Sequence, residues 1–197
     1  MRTALPLLLL TFITLARSLP AQQPDSASPS FADWFEDRAL RLEFVVSGHA
    51  TEHTIALQEI FEEPCWPENP ALLVPTRQLC STRARIYDAA TGRFICQRSL
   101  DTLFSEYTTT TPATQNIRRA FEFVVRFPLP KAPVRLVLEE RSRSYQYEQV
   151  FETDISPEDL HIRRESVLQD EIHELKIAGS PQNSLDITFL SEGYTAT

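Results

Sequence analysis

Residues 40–48 read LRLEFVVSG, and apolar and polar side chains alternate through most of this stretch. The apolar set on one side is Leu40, Leu42, Phe44 and Val46. Arg41, Glu43 and Ser47 fall on the opposite side. Because successive side chains of a β-strand point to opposite faces, the stretch predicts a strand with one buried face and one solvated face.

Similar runs recur along the chain, and they predict seven or more short strands. The alternating positions are Ile55 and Leu57, Ala84 and Ile86, Phe94 and Cys96, then Phe121, Phe123, Val125 and Phe127, then Val134, Leu136 and Leu138, and last Tyr145 and Tyr147, where another strand is predicted to begin. Turn residues at 88–92 and the proline-rich stretch 128–133 separate several of these runs. A half-buried strand must be covered by a second layer. We therefore predict an all-β fold, an antiparallel β-sandwich.

Helical signals are confined to two short places. Pro112 is suited to a first helical turn in a segment that leads to Arg119. Ser156 precedes Pro157 and two acidic residues, Glu158 and Asp159, which is typical of a helix start with serine as the cap and proline at the first position. Both helices are expected to be short.

The N-terminus has the composition of a secretory signal peptide. Arg2 supplies a positive start, and residues 5–15 are apolar with three interruptions. This run of about ten residues is too short for the roughly 20 apolar residues of a membrane span. We expect residues 1–21 to be removed by cleavage near Ala21. The mature chain is then expected to have no membrane span and to be secreted or periplasmic.

The remaining sequence divides into three segments. Residues 22–30 are polar and rich in Pro and Ser, so they predict a flexible leader. Residues 31–165 are long enough for one β-sandwich domain with a sizeable core. Residues 166–197 begin polar and end in the apolar run Leu185–Leu190, which we interpret as a linker followed by the first strand of a second, α/β domain, truncated here.

The charge balance disfavours nucleic acid as a partner. The whole chain has 19 basic and 27 acidic residues, and loss of Arg2 and Arg17 with the signal peptide leaves 17 basic residues and a net charge of −10. Such a surface repels phosphate backbones, and the chain has no basic run with interleaved aromatic residues.

Three cysteines, Cys65, Cys80 and Cys96, are spaced too widely for a C-x-x-C metal motif. An odd number in an oxidising compartment allows at most one internal disulfide. We expect Cys65 to pair with Cys80, because Cys96 lies in a strand-like run where a buried thiol behaves as a small hydrophobic group.

The residues His49, Glu52 and His53 match the H-x-x-E-H pattern of zinc peptidases, in which a helix places both histidines on one face. Here the pattern follows Gly48 and lies between two strand patterns, which favours a solvated hairpin turn. A zinc site at His49 and His53 is the least favoured of the functional hypotheses.

Two further patterns resemble catalytic motifs without completing them. His173 and Glu174 open an H-E-x-x-H motif, but Ile177 stands where the second histidine is needed. Ser191 has Phe189 where a G-x-S-x-G nucleophile turn needs its first glycine. We therefore predict no catalytic, cofactor-binding or metal-binding residue in this chain.

Aromatic residues are concentrated at Trp34, Trp66, Phe104 and Tyr107. Exposed rings of this kind could stack on sugars, whereas buried rings would be part of the core of a β-sandwich. The core interpretation is favoured.

Several segments, taken in order, resemble the N-terminal domain of the immunoglobulin-A (IgA) metallopeptidase family. They are Leu40–Gly48, Ile86–Gly92, Leu103–Ala113, Ala120–Pro130 and Pro133–Arg141. The tail Leu185–Thr195 is similar to the strand that opens the family's catalytic domain, although Ser191 and Glu192 replace the usual Gly-Asp before Gly-Tyr-Thr.

The resemblance implies a non-catalytic N-terminal domain of a secreted zinc endopeptidase. The zinc and the catalytic residues are then expected in a downstream catalytic domain. The expected partners of the N-terminal domain are that catalytic domain and a protein or glycoprotein substrate. The alternative is a secreted binding module that recognises a glycan or a surface protein, since a fold alone does not settle function.

Overall fold

The computed structural model describes residues 29–75 and 80–166, together with the single positions 179, 184 and 187. In chain order the elements are α1 (Phe31–Trp34), β1 (Phe35–Gly48), β2 (His53–Glu63), β3 (Thr82–Asp88), β4 (Phe94–Leu100), α2 (Leu103–Tyr107), α3 (Thr111–Thr114), β5 (Arg119–Pro130), β6 (Val134–Arg141), β7 (Tyr147–Ile155) and β8 (Arg163–Arg164). The predicted all-β sandwich is confirmed, because the eight strands form two four-stranded sheets.

Sheet A has the spatial order β5-β1-β2-β8. β1 pairs antiparallel with β2 on one side and with β5 on the other. β8 departs from the predicted antiparallel arrangement, since it runs parallel to β2 and pairs only at Phe61↔Arg163 and Glu62↔Arg164. β5 continues through Pro130, so the stretch that we predicted as a turn begins inside a strand. An edge strand tolerates proline, because the missing N–H donor can face away from the neighbouring strand.

Sheet B has the spatial order β4-β3-β6-β7, and all its pairs are antiparallel. The predicted turn between β3 and β4 is confirmed: Gly92 N donates to Asp88 O at 2.8 Å, and Asp88 Oδ2 accepts from Thr91 N at 2.8 Å. Gly92 has a φ of +71°, a left-handed conformation that glycine adopts without a Cβ clash.

β7 begins two residues later than the sequence predicted, because a turn joins it to β6. Tyr145 was predicted to begin a strand, but it lies in the turn with a φ of 62°. Its backbone N–H donates to Ser142 O at 2.9 Å, and Ser142 N donates to Gln146 O at 2.7 Å. These two bonds reverse the chain before Tyr147, so pairing with β6 starts there.

The core lies between the two sheets. The ring of Phe44 in β1 stacks on Phe123 of β5 at 5.2 Å and meets Phe151 of β7 edge-on at 5.5 Å. The predicted inner faces of β1, β5 and β6 are buried in this cluster. Full burial of one such phenylalanine stabilises the fold by about 1.5–3 kcal/mol.

The helices are short: α2 and α3 lie beside the β1–β2 turn, and α1 lies at the opposite end, where β1 begins. Thr102 caps α2, since its side chain accepts from Ser105 N at 3.2 Å. The helical turn predicted at Pro112 is present as α3, which ends at Thr114 and does not extend to Arg119.

The helix predicted at Ser156 is wrong. Ser156 does accept a bond from Glu158 N at 3.3 Å, but Asp159 N also donates to Ser156 O, and the chain then turns again. Ile155 and Ile162 are both buried on either side of this segment. Two tight turns join them, which leaves no room for a helix.

The predicted signal peptide at 1–21 and most of the leader at 22–30 lie outside the described residues, as does nearly all of the segment 166–197. No helix within the described ranges is long and apolar enough to cross a membrane.

Candidate functional site

The H-x-x-E-H residues form the turn between β1 and β2, as the hairpin interpretation predicted. His49 N donates to Glu52 O at 2.8 Å, and Gly48 pairs with His53 at the base of the turn. A Cβ on Gly48 would lie 2.2 Å from Glu52 O, so this close approach requires glycine.

The two imidazoles of the turn have different neighbours. His53 Nε2 lies 3.1 Å from Glu140 Oε2 on sheet B, and its ring packs at 5.2 Å against Phe104. His49 Nδ1 lies 3.4 Å from the Thr51 hydroxyl within the turn. Zinc held by an H-x-x-E-H motif needs both rings on one helix face, so the geometry here does not fit that metal site. In residues 29–75 and 80–166 no group of three or more His, Cys, Asp or Glu side chains could hold a metal ion.

The other motif residues, His173, Glu174 and Ser191, lie outside the described residues. Our interpretation that they carry no catalysis remains a prediction.

The aromatic residues are mostly part of the protein interior, as favoured. Trp66, Phe104 and Tyr107 are buried, and Trp34 packs against the core with Arg93 over its ring at 5.6 Å. Rings in these positions do not provide an open platform for sugar stacking.

The expected disulfide between Cys65 and Cys80 is wrong, since all three cysteines are free thiols. Cys65 is exposed after β2 of sheet A, whereas Cys80 is buried before β3 of sheet B. Tyr147 Oη donates to Cys80 O at 2.8 Å and lies 3.4 Å from its Sγ. The Cys80 side chain is therefore engaged by β7.

Cys96 behaves as the sequence predicted. It is fully buried in β4, and this burial raises the pKa of its thiol to about 12. A thiol with such a pKa is protonated and unreactive near neutral pH.

The most extensive polar arrangement in the described residues is an ion-pair network on sheet A. Arg41 and Glu63 lie on its outer face, whereas Glu62 pairs in register with the buried Leu40 and lies on the other face. Glu63 accepts from Arg41 Nε at 2.7 Å and from Arg126 Nη2 at 3.0 Å. Arg38 pairs with Glu62, whose side chain is only 7% exposed. Buried carboxylates of this kind require their partners, because an unpaired charge there would be strongly destabilising.

This network extends to β8 and holds it in place. Arg164 pairs with Glu62 at 3.3 Å, and Arg41 Nη2 donates to Glu165 Oε1 at 2.6 Å. The backbone N–H of Glu165 also donates to Glu62 O at 2.9 Å. We call the set Arg41, Phe61, Glu62, Arg163, Arg164 and Glu165 the β8 anchor.

An aromatic ring lies at the centre of the β8 anchor. The guanidinium of Arg41 is 4.1 Å from the centroid of Phe61, and that of Arg163 is 5.1 Å from the same centroid. Arg163 also pairs with Glu59 at 2.8 Å. Cation–π contacts on both sides of one ring add to the ion pairs in fixing the position at which the chain leaves the sandwich.

A groove of about 400 Å³ lies beside β8. Its lining residues are Leu57, Gln58, Glu59, Ile60, Asp159, His161 and Arg163. His161 Nδ1 lies 2.9 Å from Asp159 Oδ1, but the lining includes no serine, threonine or cysteine. The pair therefore has no nucleophile to activate within the groove.

Sequence reasoning missed both the β8 anchor and the His53–Glu140 pair. In the β8 anchor, Arg41 and Glu165 are 124 positions apart in the sequence. In the other pair, His53 and Glu140 belong to different sheets. The alternating charges of β1 indicated a solvated outer face, but they did not indicate which later residues would cover it.

The chain matches a known protein family. No curated protein matches the chain. The family profile described as peptidase M64 N-terminus matches residues 30–152, a range that begins just before α1 and ends within β7. Because this match covers more than half of the sequence, the chain belongs to the peptidase M64 family and contains its N-terminal domain.

Proposed function

We propose that this β-sandwich is the non-catalytic N-terminal domain of a secreted zinc endopeptidase that resembles the IgA metallopeptidases. In this proposal it supports a downstream catalytic domain and helps to position a protein or glycoprotein substrate. Zinc in that domain would supply an activated water. The family match carries the proposal.

The arrangement of polar residues is consistent with a supporting role. The H-x-x-E-H residues form a turn, and the His161–Asp159 pair lacks a nucleophile in its groove. The ion pairs of sheet A, in contrast, bind other parts of the same domain. These contacts stabilise and orient the fold.

The β8 anchor gives the supporting role a structural basis. It holds residues 163–165 against sheet A through main-chain pairing, ion pairs and cation–π contacts. A linker that starts from a fixed point lets an attached domain explore less space than one that starts from a free end. Any domain that follows Glu165 would therefore begin at a defined place on the outer face of sheet A.

Secretion is part of the proposal and is supported by the composition of residues 1–21. N-terminal sequencing of the protein recovered outside the cytoplasm tests it. We expect a mature N-terminus near Gln22, and an intact Met1 in the exported protein would contradict it.

The supporting role is tested with the complete gene product and a variant that lacks residues 31–165. We expect the complete protein to hydrolyse casein in a zinc-dependent manner and the deletion variant to lose most of that activity. A small peptide substrate distinguishes the two parts of the role: activity kept on the peptide but lost on casein indicates substrate positioning, and loss on both indicates structural support. Full activity of the deletion variant on both substrates would contradict the proposal, as would a gene that encodes no peptidase domain after Thr197.

A further inference from the structure

His53 and Glu140 link the two sheets at one end of the sandwich. His53 opens β2 in sheet A, and Glu140 is the penultimate residue of β6 in sheet B. Their Nε2 and Oε2 atoms are 3.1 Å apart, and both side chains are about one quarter exposed, at 24% and 26%. The pair is thus a polar contact at the margin of an otherwise apolar interface.

The position of the imidazole is fixed by aromatic packing. Phe104 of α2 lies 5.2 Å from the His53 ring, with the two planes tilted by 54°. Phe104 is itself buried against Tyr107 and Phe121, at 6.2 and 6.1 Å. Protonation therefore changes the charge of a ring that is already held beside a carboxylate.

The other charged groups around His53 have separate contacts or lie in solvent. Glu52 of the turn pairs with Arg118 at 3.2 Å, and Arg119 of β5 lies over Tyr107 at 5.4 Å. Glu106 of α2 is exposed. In β7, Glu148 lies opposite Glu140 in the strand register and is also exposed.

We propose that His53 and Glu140 form a pH-responsive clamp between the two sheets, which is strongest when the imidazole is protonated. The hydrogen bond to Glu140 raises the pKa of His53 above its ordinary value of 6.5 and outweighs burial, which lowers it. Because the pKa is higher in the folded protein, protonation favours the folded state. The clamp's contribution is complete below 6.5, the pKa of the unfolded chain, and is lost as the pH rises through the folded pKa.

The test compares the mature chain with its Glu140→Gln variant by urea unfolding from about pH 5.5 to about pH 8.5, the range in which histidine titrates. We expect the difference in stability to be largest at the acidic end and to shrink as the pH rises. Substitution of His53 by Gln should remove this pH-dependent difference. A difference that does not change with pH would overturn the proposal.

A direct readout is the NMR titration of the His53 ring. We expect its midpoint to lie above 6.5 in the wild type and to fall in the Glu140→Gln variant, or in Glu140→Asp if the amide variant does not fold. A wild-type midpoint at or below 6.5 would overturn the clamp. His161→Gln is the matched control, because His161 is 94% exposed and contacts Asp159 in its own turn, so the effect of Glu140→Gln should persist in that background.

Discussion

Arg41 Nη2 in the first strand lies 2.6 Å from Glu165 Oε1, 124 positions later in the chain. The contact joins the centre of sheet A to the residue that follows its last strand. Arg41 also pairs with Glu63 and Glu43 and lies over Phe61, so one side chain connects β1, β2 and the chain exit. Within the β8 anchor, Arg41 is therefore the residue that joins the first strand to the chain exit.

Replacing Arg41 with Gln should release β8 and destabilise the domain. The guanidinium side chain is 18% exposed and serves several carboxylates, so we expect a loss of about 1–2 kcal/mol, between the values typical of surface pairs and buried pairs. Hydrogen exchange should show faster exchange of the Glu165 amide, which bonds to Glu62 O. Arg118→Gln is the control, because its pair with Glu52 is largely exposed and should contribute less than about 0.5 kcal/mol. Equal effects of the two substitutions would contradict a central role for Arg41.

Phe44→Ala should be among the most damaging substitutions in the core. The ring is fully buried between Phe123 and Phe151, so its removal leaves a cavity between both sheets, and a loss of about 3–5 kcal/mol is expected. Urea denaturation measures it. Val124→Ala in β5 is the control: Val124 is 46% exposed, and the expected change is within about 0.5 kcal/mol. A loss below about 1 kcal/mol for Phe44→Ala would mean that the sheets do not meet at this ring.

The three thiols should differ sharply in reactivity. In the native protein, iodoacetamide should label Cys65, which is exposed, while Cys80 and Cys96 are protected by burial. Cys96 should label only after unfolding, since a thiol with a pKa of about 12 contains almost no thiolate near neutral pH. Peptide mapping under non-reducing conditions is the second measurement, and it detects any disulfide between the three cysteines. Recovery of a Cys65–Cys80 disulfide from the native protein would contradict the arrangement of Cys80 beside Tyr147.

The segment that follows the anchor is predicted to lower solubility when no further domain accompanies it. Leu185–Leu190 is apolar, and Ile187 is 69% exposed. Exposed apolar segments with β-strand character promote association between chains. A protein of residues 22–197 should therefore aggregate at lower concentration than one of residues 22–166, as measured by light scattering. Equal solubility would count against a strand of a second domain at this position.

Local side-chain patterns were sufficient to predict strands β1 to β7, except that β7 begins at Tyr147 and not at Tyr145. The apolar positions of β1, β5 and β6 repeat every second residue, and burial of one face follows directly from that period. The turn at His49 could be predicted because it depends on its immediate neighbours. The core position of Phe104 could be predicted because aromatic residues of a β-sandwich are more often buried than exposed.

Features that depend on long-range pairing could not be predicted. β8 has only two residues, Arg163 and Arg164, and neither shows a strand pattern. α2 is a five-residue helix, too short to show a helical period. Cys80 is contacted by Tyr147 of β7, 67 positions later in the chain. For β8 and Cys80 the contacting residues lie far away in the sequence.

The central claim is that this domain supports catalysis without supplying catalytic groups. The most direct measurement compares zinc-dependent casein hydrolysis by purified residues 22–197 with that of the complete gene product at equal molar concentration. We predict no hydrolysis by residues 22–197 and hydrolysis by the complete product that a chelator abolishes. Chelator-sensitive turnover by residues 22–197 at a comparable rate would place the catalytic site within this chain and contradict the account.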